Sequence, residues 1–175
     1  MAKLRANKTP ESIRLRQLRL VVRAPLRSLY TITGISTATL SNIEKGSTSY
    51  QNSTIITLCN AFQVDRTFFL DLDKPVPSEQ ILVNALSDFA KSRGVEVPVN
   101  SLIQKSITSL LIDEYIENGN LEEFKTIKTI KQEIKEEYGI LPASSQMSKR
   151  LTERCAKRIL ERRLYNKKDY EYRKI

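Results

Sequence analysis

ITGISTATLSNIEKG, residues 32–46, is the stretch whose reading decides the fold. Gly34 marks a short turn, and Ser36 offers a side-chain oxygen to the start of a new helix. STATLSNIEK then carries Leu40 and Ile43 at helical spacing until Gly46 stops it. The solvent side of that helix holds Thr37, Ala38, Thr39, Ser41 and Asn42. A face that needs only solubility is usually filled with Glu and Lys. Short polar side chains instead permit the helix to come close to another surface.

Upstream, Thr9-Pro10-Glu11 is a helix start: an N-cap, proline at the first helical position and an acid in the first turn. ESIRLRQLRLVV follows with Leu15, Leu18 and Val22 on one face. Pro25 opens a second helix, LRSLYTIT, which Gly34 ends. Downstream, NSTIITLCNAF places Ile55, Leu58 and Phe62 inward, and VDRTFFLDL is a short helix capped by Asp65. Residues 1–72 therefore read as a five-helix domain without a strand. DKPVPSEQ, 73–80, carries two prolines and reads as a boundary, so 73–100 is expected to be a linker containing one amphipathic helix, EQILVNALSDFAKSRG. Helices are predicted over 101–118, 121–138 and 144–157. RRLY and YEYRKI alternate as strands around a polar turn at Asn166–Asp169, which predicts a terminal hairpin.

The charge is strong and unevenly placed. Lys and Arg number 29 against 20 Asp and Glu, a formal net charge of +9. Residues 1–50 carry nine bases and two acids, residues 148–175 eleven bases and four acids, and residues 79–147 seven bases and eleven acids. Two basic ends around an acidic middle suit a polyanion contacted at two places. There is no histidine, which excludes a histidine metal site and a Ser–His or Cys–His nucleophile. No Walker or dinucleotide glycine motif is present, so neither catalysis nor a cofactor or metal is expected. Cys59 and Cys155 have no CxxC spacing, and Cys59 falls in an apolar helical pattern as a core residue. No apolar run reaches the roughly 18 residues that span a bilayer, and the basic N-terminus has no apolar segment behind it. A cytoplasmic protein with reduced thiols and no membrane partner is expected.

Four pieces in this order and spacing resemble the phage-repressor-type, Xre/Cro-like helix-turn-helix family: LRQLR, SLYTITGIS, TLSNIEKG and TIITLCNAFQVDRTFF. The resemblance covers about two fifths of the chain. It implies that the helix after Gly34 lies in the DNA major groove. Ser36, Thr37, Ala38, Thr39, Ser41 and Asn42 would then face DNA, with Arg27, Lys45, Thr48, Tyr50 and Gln51 on its backbone. Arg19 and Glu44 occupy the positions of a family salt bridge and read as structural. Two departures stand out: Leu26 where the family often has Gln, and Tyr30 where it usually has Ala. That tyrosine must either push between the two helices or swing outward.

EIKEEYGI, SQMSKRL and ILERR…YEYRKI resemble a winged helix-turn-helix, although Arg158 stands where many winged domains have Gly. This implies a mainly α protein whose region 101–175 is a winged-helix-like domain, for DNA binding or dimerisation. Ser145, Gln146, Ser148, Lys149 and Arg150 would face a second DNA segment, and Arg162, Arg163, Lys167 and Lys168 would line the wing. The combined expectation is a sequence-specific transcription regulator, a repressor of the Xre type, acting as a homodimer on a double-stranded operator. A mobile-genetic-element origin is in keeping with the family. The alternatives are an antitoxin that binds a protein partner through the acidic middle, or a plasmid or phage replication or partition protein.

Overall fold

A computed structural model describes residues 8–47, 49–96, 98–104, 106–166 and 169–175. Three of the expected DNA contacts, Thr48, Lys167 and Lys168, lie outside the described residues. The chain is mainly helical with one small antiparallel sheet, and it divides into two compact units, Met1–Gln104 and Lys105–Ile175.

The first unit contains α1 (Pro10–Val21), α2 (Leu26–Thr33), α3 (Thr37–Glu44), α4 (Asn52–Phe62), α5 (Arg66–Leu70), α6 (Glu79–Ser92) and α7 (Val99–Leu102). Side-chain caps set the starts: Thr9 accepts from the Ser12 N–H, Ser36 from Thr39 and Asp65 from Phe68. Each such cap contributes about 1 kcal/mol. α2 closes on Gly34, whose φ of +75° lets its N–H reach the Tyr30 carbonyl at 2.8 Å. Leu15, Leu18, Leu29, Leu40, Ile43, Leu58 and Phe62 are buried together, with Ile35 packed against them. Tyr30 swings outward and is 50% exposed, so it leaves the α2–α3 contact undisturbed.

Residues 73–100 do not form a linker. α6 and α7 pack into the core of the first unit through Leu82, Val83, Leu86, Ala90 and Val99. The two prolines break the helix without ending the domain. Arg14 shows why: it is buried, stacks 4.3 Å over Phe68, and donates to the carbonyls of Asp71 and of Lys74, the latter at 2.7 Å. The segment entering α6 is therefore held against the five helices, and α6 covers apolar surface that they leave open.

The second unit contains α8 (Ile107–Glu117), β1 (Lys125–Thr126), α9 (Ile127–Tyr138), α10 (Ser144–Ala156), β2 (Leu160–Leu164) and β3 (Tyr170–Lys174). The sheet order is β1-β3-β2, with Thr126 opposite Glu171 and Arg162 opposite Tyr172. Its core holds Leu111, Tyr115, Ile130, Ile134, Met147, Leu151, Leu160 and Tyr172. Periodicity predicts single helices over 101–118 and 121–138, and both expectations need correction. The first stretch is split between α7 and α8. In the second, β1 precedes the helix, because pairing with β3 outweighs the local helical preference of LEEFKT. Thr126 ends the strand and caps α9 by accepting from the Thr129 N–H. Arg158 adopts φ +55° where α10 turns into β2, and its N–H meets the Cys155 carbonyl at 2.9 Å. The left-handed turn that glycine favours is thus made here by an arginine, at about 1 kcal/mol of strain.

Candidate nucleic-acid interface

α3 is two-sided. Leu40 and Ile43 are buried in the core, while Ser36, Thr37, Ala38, Asn42 and Lys45 are exposed and Thr39 and Ser41 are half-buried. The inner side is fixed by an ion pair. Arg19 of α1 is 1% exposed and Glu44 6%, and the guanidinium meets both carboxylate oxygens, at 2.5 and 2.8 Å. Arg16 adds a third approach to Glu44 at 3.7 Å. This two-point geometry sets the C-terminal end of α3 against α1.

At the other end, the Ser36 hydroxyl oxygen accepts from the Thr39 N–H at 3.0 Å and lies 2.9 Å from the Thr39 hydroxyl. If Thr39 donates in that second contact, the Ser36 proton is left for an outside acceptor. The side chains of Asn42, Arg27 and Lys45 make no hydrogen bond or ion pair among the described residues. Asn42 therefore offers both an amide donor and a carbonyl acceptor. Gln51 is also exposed but is engaged by the Ser53 hydroxyl at 3.3 Å. Tyr50 is half-buried against the core and lines a groove of about 300 Å³ with Glu11, Arg66 and Leu70. Burial, and then Glu11, push its phenol pKa up.

The basic count of the first fifty residues overstates what a polyanion meets. Arg14 and Arg19 are interior, and Arg23 is paired with Glu79. Arg27 and Lys45 remain beside α3, with Lys8 exposed near the start of α1.

In the second unit, Ser145, Gln146, Ser148 and Lys149 of α10 are exposed. Arg150 differs from its expected role: it turns inward and shares Asp113 with Arg154, each at 2.5 Å. Hydrogen bonding to Asp113 holds the Arg150 pKa above its ordinary value despite partial desolvation. The acidic middle is likewise less exposed than its composition suggests. Asp113 and Glu114 are buried, and Glu133 accepts from Tyr115 and, at 2.8 Å, from Lys125. Burial and Glu133 push the Tyr115 pKa far up.

Strand alternation separates the two hairpin arginines expected to act together. Arg163 is bound to Glu171 at 2.9 Å and stacks 4.1 Å over Phe124, which Arg173 also covers at 4.6 Å. Arg162 points to the opposite face and stacks 4.8 Å over Tyr170. Tyr170 also lines a groove of about 370 Å³ with Tyr165, Tyr172, Ser148 of α10 and Thr126 and Lys128 at the start of α9. Arg162 therefore stacks on a ring of the groove that also includes Ser148 of α10. If the chain binds DNA as proposed below, removing the charge of Arg162 in Arg162→Gln is expected to lower the salt slope of that binding by about 1, and Arg163→Gln to leave it unchanged. Titration of nucleic-acid affinity against salt measures both.

The groove residues Thr126, Lys128, Tyr165 and Tyr170 escaped the sequence reading, although the alternation of RRLY carried a signal that Arg162 and Arg163 diverge. Among the described residues, no cluster of acidic or cysteine side chains could hold a metal ion, and no helix is long and apolar enough to cross a membrane. Comparison of the chain with protein-family models, with curated proteins and with solved structures finds no match in any of the three.

Proposed function

We propose that the chain is a sequence-specific DNA-binding regulator of transcription that reads the major groove with α3. The observation that carries this reading is the outer face of α3. Thr37, Ala38 and Asn42 are exposed on a helix whose other side is locked by Leu40, Ile43 and the Arg19–Glu44 pair. A surface so short in side chain and so rigid in placement suits approach to base edges. Asn42 would bond an adenine through both its amide atoms, and the methyls of Thr37 and Ala38 would touch thymine methyls. Arg27, Lys45 and the Ser36 hydroxyl would meet phosphates, which fix register without reading sequence.

The second unit supports a second contact. Its order of helix, strand, helix, helix, strand, strand and its sheet order β1-β3-β2 agree with a winged helix-turn-helix. In that reading α10 presents Ser145, Ser148 and Lys149 to DNA, and Arg162 extends the same surface. A homodimer on a palindromic operator, acting as a repressor, follows the family resemblance.

Asn42→Ala tests the assignment. It is expected to weaken binding to a selected DNA site by about 1–3 kcal/mol and to leave binding to unrelated DNA nearly unchanged. Equal losses on both DNAs would remove Asn42 from base reading.

A further inference from the structure

We infer that Glu79–Gln104 is a positioning strap for the DNA-reading helix, with Arg93 as the residue that sets the α2–α3 turn. The inference rests on the reading of α3 above. α2 is gripped at both ends by this segment. At its start, the Ser28 hydroxyl donates to the Leu102 carbonyl at 2.5 Å. The turn before α2 adds Arg23, whose carbonyl accepts from the Gln104 N–H at 2.9 Å and whose side chain pairs with Glu79 and donates to the Gln104 carbonyl at 3.0 Å. At the end of α2, the Arg93 guanidinium donates to the Thr33 carbonyl.

The Arg93 contact falls at the most sensitive point of the motif. The last carbonyls of a helix lack intrahelical partners, and a cation there is favoured by the helix dipole. Arg93 supplies both needs for α2. Its guanidinium also fills the space beside Gly34: a Cβ built there would lie 2.7 Å from one terminal nitrogen and 3.1 Å from the other. Gly34 thus admits the left-handed turn and the arginine together. The guanidinium is supported 5.9 Å from the centre of the Phe89 ring, one turn earlier on α6. Ile35 and the Ser36 cap follow within two residues, so a change of backbone at 33–34 alters where α3 begins. The five helices that carry the family resemblance do not include this segment. Arg93 here acts through the turn and need not touch DNA.

The test uses the full chain as Arg93→Ala and Arg93→Lys, read by affinity for a selected site, affinity for unrelated DNA and amide exchange at Ile35–Thr39. Arg93→Ala is expected to lose selective binding by about tenfold, keep its affinity for unrelated DNA, and exchange those amides faster. Arg93→Lys, which keeps a cationic donor for the Thr33 carbonyl, should recover much of the loss. Equal loss on both DNAs would make Arg93 a phosphate contact and overturn the positioning role. Unchanged selectivity with unchanged exchange would overturn it as well. If the unaltered chain shows no sequence preference, the reading of α3 fails, and exchange at Ile35–Thr39 alone decides whether Arg93 holds the turn.

Discussion

Glu44→Ala is expected to destabilise the first unit by about 3–5 kcal/mol, because it strands the charge of Arg19 in the core. Arg19 is 1% exposed and loses the partner that meets two of its nitrogens. The Ala24 carbonyl at 3.3 Å stays within reach, but a neutral acceptor does not balance a full positive charge. Removing both groups is a different matter. Arg19→Met with Glu44→Leu should recover most of the loss, since a buried pair costs much desolvation to form. Urea unfolding, with amide exchange over α1–α3 to localise the change, measures both variants. A loss under about 1 kcal/mol for Glu44→Ala would mean that Arg19 finds solvent or another acceptor easily, and that the pair does not fix α3.

Asp113→Ala is expected to cost the second unit about 2–4 kcal/mol, the next largest effect, since one carboxylate on α8 serves two guanidiniums on α10. The figure is lower than for Glu44 because Arg150 and Arg154 keep some exposure to solvent, which screens what they lose. The same change has a second consequence. Arg150 and Arg154 become available to phosphates, so affinity for unrelated DNA should rise while stability falls. Thermal unfolding and binding to a random duplex read the two effects separately. A fall in stability together with weaker binding to unrelated DNA would indicate that α10 no longer holds its place.

Most of the first unit was legible because its signals are local. Thr9-Pro10, Pro25, Ser36 and Asp65 start helices, and Gly34 stops one, within a residue or two of where periodicity places them. The terminal hairpin was legible for the same reason, through alternation around a polar turn. What escaped depends on partners distant in the chain. Arg14 and Arg150 look like outward-facing bases by sequence, yet each finds carbonyls or a carboxylate 37 or more residues away, and the Arg19–Glu44 pair was legible only through the family resemblance. The two prolines after Asp73 read as a boundary because nothing local shows Arg14 holding the adjacent carbonyls. β1 is two residues long and has no periodicity to detect; only its pairing with β3 makes it a strand. Arg93 reaches back 60 residues to the turn that the opening motif defines. Of the candidate interface, the face of α3 could be drawn from sequence, but not which nearby cations remain available to DNA.

The most direct test is selection of DNA from a random pool by the intact chain, followed by footprinting with the intact chain and with a fragment ending at Gln104. The fragment keeps Leu82, Leu86 and Ala90, without which the core of the first unit is incomplete. A defined motif should emerge, be protected by the fragment over its central bases, and be protected over a longer span by the intact chain. Binding that enriches no motif, and that weakens with salt equally on every sequence, would contradict the assignment of α3 as a reader of DNA.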